Sequence, residues 1–186
     1  MKPTHGVWRW AKLCKYSRLG LRLAAALLVC AFAAAAHAGP MLEHPAPALT
    51  ATELDGHVFD LAKMHGKVVL VNYWATWCGP CKIEMPTLNA FYRRHHGEGL
   101  EIIAISTDHP EDYSKVHEVS QSLAYPVALY DQISKNGFGA PEGFPLTYVV
   151  DGNGIVRDKF IAVEDQLLRD VVLPLLRGLP HARAQQ

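Results

Sequence analysis

The sequence predicts an α/β fold, a central mixed β-sheet flanked by helices, with an N-terminal β-hairpin. Three observations lead there. Strand-like and helix-like segments alternate between residues 68 and 123. The run Val68-Val-Leu-Val-Asn-Tyr-Trp74 is almost continuously β-type, as expected of a central strand covered on both faces. A late turn signal, Asp151-Gly-Asn-Gly154, adds an antiparallel hairpin to the alternating part.

The elements follow in order. Pro40, Pro45 and Pro47 make 39–48 an extended, semi-rigid lead-in. Asp55-Gly56 between short apolar segments marks a hairpin over Leu49 to Leu61. After the strand 68–74, a helix is expected from about Cys78 to His96. Ile83, Leu88, Phe91 and Tyr92 lie roughly on one face of it, and Pro86 should kink it. Glu101–Ser106 reads as a second buried strand, Asp112–Leu123 as an amphipathic helix and Val127–Tyr130 as a short strand. Leu146–Asp151 and Ile155–Phe160 flank the late turn. Asp165–Arg177 closes the chain as a helix, and 178–186 read as a flexible tail. The expected domain is 49–177.

The charge is unevenly placed. The chain has 186 residues, with 18 basic and 18 acidic side chains. Six of the basic ones, Lys2, Arg9, Lys12, Lys15, Arg18 and Arg22, lie in 1–38, which holds no acid. From Gly39 onward 12 basic residues face 18 acidic ones, a net charge of −6. An acidic body argues against nucleic acid as a partner, since phosphate binding needs a positive field.

Residues 1–38 have the form of an export signal. The basic stretch is followed by a 14-residue apolar run, Leu23–Ala36, and by the small-x-small site Ala36-His37-Ala38. The run is short of the ~20 residues a spanning helix needs. No Arg-Arg pair precedes it, so the twin-arginine route is not expected. Left uncut, the segment would remain as an N-terminal membrane anchor. Cut after Ala38, it leaves 148 residues, enough for one hydrophobic core. Val29 before Cys30 is a poor lipid-attachment context, so Cys14 and Cys30 are leader residues without chemistry.

The body then holds only Cys78 and Cys81, with two residues between them, just past a strand and where a helix begins. Unpaired backbone N–H groups and the positive dipole end at a helix N-terminus favour a thiolate. Cys78 is therefore the expected exposed nucleophile, and Cys81, one turn on, the more buried resolving thiol. Pro80 is tolerated in the first turn. Other chemistries lack residues. Zinc needs two more ligands, and His95 and His96 are adjacent and diverge on a helix. A c-type haem needs His where Lys82 stands. A purely structural crosslink over so short a loop stabilises little. Trp74 and the tyrosines 73 and 148 are expected to be packing residues, and His109 and His117 solvated surface.

The span Val68–Cys81, with Trp77-Cys78-Gly79-Pro80-Cys81 at its end, resembles the active-site strand and turn of the thioredoxin superfamily. The leader, the hairpin and Cys81-Lys-Ile-Glu84-Met-Pro86 make it similar to the TlpA/ResA-like branch of exported thiol-disulfide oxidoreductases, over roughly 46–177. The resemblance implies a thioredoxin-like sandwich, a redox-active Cys78–Cys81 disulfide and no other cofactor or metal. It matches Pro145 to the cis-proline facing the disulfide, with the Phe144 backbone offered to an extended substrate. Trp77, Gly79 and Pro80 would complete the substrate-binding surface. Glu84, on nearly the same helix face as Cys81, matches an acidic residue that tunes the thiols; the alternative is a solvated surface charge. Asn72 stands where thioredoxins proper keep a buried acid, so that general-base role does not carry over.

The implied activity is a periplasmic disulfide reductase, since Gly-Pro between the cysteines is the thioredoxin arrangement. Thioredoxin's potential is ~−270 mV, against ~−120 mV for the oxidant DsbA. The implied partners are exported proteins with disulfides and a membrane electron donor of the DsbD/CcdA type; a monomer is expected. Reduction of apocytochrome c haem-site cysteines is one alternative. The stretch Gly137-Phe-Gly-Ala-Pro-Glu-Gly-Phe144 departs from the Gly-Val-x-x-x-Pro-Glu-Thr pattern of that branch. Assembly of an oxidase copper site is another, but copper-delivering relatives use a wider Cys-x-x-x-Cys and a His. A peroxide-reducing enzyme would need a peroxidatic cysteine in a different loop, and none is present.

Overall fold

A computed structural model describes residues 42–180. The leader expected at 1–38 and residues 181–186 lie outside the described part. Among the described residues, no helix is long and apolar enough to cross a membrane.

Seven strands form one mixed sheet in the order β2-β1-β5-β4-β3-β6-β7. β1 (Leu49–Glu53) and β2 (Val58–Asp60) make the expected hairpin, with Thr50 opposite Asp60. β3 (Val68–Trp74) is buried at every residue, because it lies mid-sheet with a core on either side. It runs parallel to β4 (Leu100–Ser106), in register from Val68↔Leu100 to Trp74↔Ser106. It runs antiparallel to β6 (Leu146–Val150), with Tyr73 opposite Leu146. The end of β3 and the start of β6 therefore meet at the same end of the sheet.

Alternation along β3 divides the interior. Val68, Leu70 and Trp74 join α1 (Gly79–His95) and the C-terminal helices in one core. Val69, Val71 and Tyr73 join the hairpin, Phe138 and Tyr148 in the other. Tyr73 packs edge to face on Tyr148, with ring centroids 6.4 Å apart. Both tyrosines and Trp74 are packing residues, as expected. α1 continues through Pro86 as one helix, and a short α2 (Tyr113–Ser120) follows β4.

Three expectations are corrected. The short strand 127–130 is β5, Val127–Asn136. Its polar second half hides it in the sequence, but Ile133, Lys135 and Asn136 pair with β1. The closing helix is not one regular helix. α3 (Asp165–Leu167) and α4 (Leu173–Arg177) are joined by a π turn over Leu168–Val172. Pro174 accounts for the widening: it has no N–H, and its ring crowds the carbonyl four residues back. The flexible tail expected from 178 does not start there. Leu179 is buried in the helix-side core, and its amide bonds to the Leu176 carbonyl.

Of the lead-in, residues 42–48 are described, and they are engaged but not extended throughout: a turn over 42–44, with Glu43 at φ 64°, precedes an antiparallel bridge from Pro45 to Ile155. Glu43 and Ala46 amides bond to the carbonyls of Val156 and Gly154, beside β7 (Val156–Phe160). Further on, the Gly137 amide bonds to the Ala48 carbonyl at 2.8 Å. A Cβ on Gly137 would lie 2.7 Å from Pro47 Cβ and 3.1 Å from the Ala48 nitrogen. Gly137→Ala should therefore destabilise the protein by about 1–3 kcal/mol. Urea unfolding of the oxidised protein reads this, and an unchanged midpoint would refute the tight approach.

Candidate active site

The site forms where β3 ends. Cys78 N–H donates to the Ala75 carbonyl at 3.1 Å, closing a turn that aims the chain into α1. Cys78 is the N-cap of that helix, and its Sγ accepts the Cys81 amide at 3.2 Å. Pro80 sits in the first turn, where a missing N–H costs nothing. Cys78 and Cys81 form a disulfide with an S–S distance of 2.03 Å. Cys81 is fully buried and Cys78 is 5% exposed. The order of accessibility is as expected, but the first cysteine is far less open than the exposed nucleophile the sequence suggested. Both sulfurs belong to the helix-side core.

Part of the surroundings comes from the loop before β6. The Phe144–Pro145 peptide bond is cis, and Pro145 is buried at the start of β6. Trp77, 63% exposed, stacks edge to face on Phe144 with centroids 5.5 Å apart, so the two predicted substrate-side aromatics are joined. Gly79 and Pro80 are exposed on the first turn of α1, and no atom would touch a Cβ on Gly79. His109 and His117 are exposed. Among the described residues, the one group of His, Cys, Asp or Glu able to hold a metal is Glu53, Asp55 and His57. It lies on the β1–β2 hairpin and includes neither cysteine.

Glu84 is 4% exposed, which excludes a surface charge. It points inward one turn after Cys81. Asn72 Nδ2 donates to its Oε1 at 2.9 Å, and the Val163 amide donates to its Oε2 at 2.8 Å. Asn72 Nδ2 also donates to Thr147 Oγ1 at 2.8 Å on the neighbouring strand. The position on β3 that lacks an acid thus holds an amide that binds an acid from the helix. Burial pushes the Glu84 carboxyl above the ordinary 4.5, and the two hydrogen bonds pull it part of the way back.

The sequence reading missed two parts of this surrounding. The Val163 amide carries no side-chain signal. Asp108, just past β4, is buried and accepts bonds from Thr76 and Ser106. The Ser106-Thr107-Asp108 run after a strand was its only trace.

Comparisons with known proteins agree with this geometry. The sequence profile of the AhpC/TSA family matches residues 42–159. The thiol-disulfide oxidoreductase ResA of a Bacillus cereus strain is 34% identical over 116 residues, which span 62% of this chain and 67% of the relative. A thiol:disulfide interchange protein of the thioredoxin family from Chlorobium tepidum superposes with a TM-score of 0.60 at 25% identity, over 76% of this chain and 99% of its own. The thioredoxin domain of a thiol-disulfide oxidoreductase from Bacteroides vulgatus does so with a TM-score of 0.60 at 28% identity, over 73% and 98%.

The raised Glu84 carboxyl makes stability depend on pH with a definite sign. Above the ordinary 4.5 the unfolded chain gives up this proton while the folded chain still holds it. Stability should therefore fall as pH rises from there through the raised value, and stay lower beyond it. Glu84→Gln should flatten that fall in urea midpoints taken across the acid-to-neutral range. An identical pH profile in the variant would contradict the assignment.

Proposed function

The chain belongs to the AhpC/TSA family and is a thiol-disulfide oxidoreductase of thioredoxin fold, and from that premise we propose that it reduces disulfides of exported proteins in the periplasm. The observation that carries the reading is the Cys78–Cys81 pair at the N-terminus of α1, at the end of the sheet where the cis Phe144–Pro145 bond begins β6. The leader at 1–38 supports the compartment, and the Gly79-Pro80 dipeptide supports the reducing direction.

In the reduced protein, the Cys78 thiolate attacks one sulfur of a substrate disulfide. A Cys78–substrate bond forms, and the substrate's other sulfur leaves as a thiolate. The α1 dipole and the Cys81 amide, already aimed at Cys78 Sγ, favour the attacking anion. Cys81 then loses its proton and attacks Cys78 Sγ. The Cys78–Cys81 bond closes, and the second substrate sulfur is released. Two electrons pass to the substrate. Glu84, held one turn beyond Cys81 with its carboxyl raised by burial, is the group that takes the Cys81 proton.

Substrate binding follows from the same end of the sheet. Pro145 has no N–H, so the Phe144 backbone is left to pair with an extended chain, and Trp77 leans on Phe144 beside it. Gly79 and Pro80 expose the small first turn to that chain. The pair is the whole redox group in this reading, with no metal or other cofactor. A monomer recharged by a membrane donor of the DsbD/CcdA type completes the cycle.

Cys81→Ser should accumulate mixed disulfides through Cys78, whereas Cys78→Ser should not; non-reducing gels of exported-protein extracts separate the two. Mixed disulfides formed equally by both variants would reverse or void the assignment. The potential, measured by equilibration with glutathione or dithiothreitol, should lie nearer thioredoxin's ~−270 mV than DsbA's ~−120 mV. A value at the DsbA end would defeat the reductant reading.

A further inference from the structure

Asp108 is a buried carboxylate whose bonds converge on the turn that delivers Cys78. Its Oδ1 accepts the Thr76 hydroxyl at 2.5 Å, and its Oδ2 accepts the Thr76 amide at 2.9 Å and the Ser106 hydroxyl at 2.8 Å. The residue between them adds a fourth tie: Thr107 donates to the Trp74 carbonyl through its amide at 2.9 Å and its hydroxyl at 3.2 Å. The strip Ser106–Asp108 thus grips the last residue of β3 and the second residue of the Ala75–Cys78 turn. Among the described residues, no Lys, Arg or His forms an ion pair with Asp108. A buried carboxylate without a cation costs stability unless hydrogen bonds replace its water. Here the three donors belong to Thr76, on the turn after β3, and Ser106, the last residue of β4.

We propose that Asp108 is a positioning residue for thiol exchange: by holding Thr76 through amide and hydroxyl, it fixes the turn that presents Trp77 and Cys78 to an incoming disulfide. The geometry of exchange makes this matter. The three sulfurs of the transition state must lie nearly in line, and a displacement of about 1 Å can cost orders of magnitude in rate. The Ala75–Cys78 turn has a single backbone bond of its own, Cys78 N–H to the Ala75 carbonyl. Trp77 is largely exposed and stacks on Phe144. Without Asp108, Thr76 is free to rotate, and Cys78 and Trp77 rotate with it.

The test uses the reduced full chain reacting with oxidised glutathione, beside urea unfolding of each variant. Asp108→Ala should slow the reaction at least about tenfold. Asp108→Asn keeps an acceptor oxygen for the Thr76 amide, and the Thr76 and Ser106 hydroxyls can turn to suit its NH₂, so it should recover most of the rate. Thr76→Val removes the hydroxyl bond but keeps the amide, and should slow the reaction about three- to tenfold. Wild-type rates in a folded Asp108→Ala would overturn the proposal. So would equal slowing by Asp108→Ala and Asp108→Asn with no slowing by Thr76→Val, since that would place the effect in the charge. If Asp108→Ala does not fold, a wild-type rate in Thr76→Val overturns it alone. An unreactive wild-type protein would instead bring down thiol exchange itself, and this proposal with it.

Discussion

The arrangement around the cysteines depends on a carboxyl group being kept inside the protein. Glu84 leaves α1 toward the sheet and would be costly there without partners. Asn72 on β3 and the Val163 amide after β7 supply them. Those two bonds tie the active-site helix to the central strand and to the loop beyond the edge strand. They also fix the rotation of α1 about its axis. Cys81 lies one turn before Glu84, so the same rotation turns Cys81 into the core and leaves Cys78 at the rim. Asn72 completes the tie by reaching Thr147, which sits two residues after Pro145. The helix that carries the disulfide and the strand that Pro145 precedes are thus joined by one buried polar chain.

The end of β3 is where the sheet's mixed topology serves chemistry. Parallel pairing with β4 brings the Ser106–Asp108 strip alongside, and antiparallel pairing with β6 brings the start of that strand, with Phe144 and Pro145, to the other side. A helix leaving β3 at this point has its N-terminal amides in the cleft between the two. A thiol placed there meets the positive dipole end of α1. The aromatic rings of Trp77 and Phe144 meet across the cleft, and Cys78 is buried in the helix-side core.

Much of this was readable in order along the chain. The β3 run, the Cys-x-x-Cys at a helix start and the Asp151–Gly154 turn are local patterns, and each formed as expected. What failed to show had non-local causes. The second half of β5 is polar and is a strand only because β1 lies beside it. The π turn before Pro174 depends on how a proline is absorbed in a packed helix. Leu179 followed a Gly and looked like tail, yet the core had room for one more leucine.

The site divides along the same line. The sequence by itself picked out the cysteine pair, because two cysteines three positions apart at a helix start need no distant partner to be recognised. It also marked Pro145, since a proline before a strand blocks further pairing wherever it occurs. Only the tertiary structure decided the surroundings of those sulfurs. Whether Glu84 faced water or the core depended on Asn72, 12 positions earlier, and on Val163, 79 positions later. Asp108 reached Thr76 across 32 positions, through the parallel pairing of β3 with β4. Burial and hydrogen-bond partnership are properties of neighbours in space, and the sheet chose those neighbours.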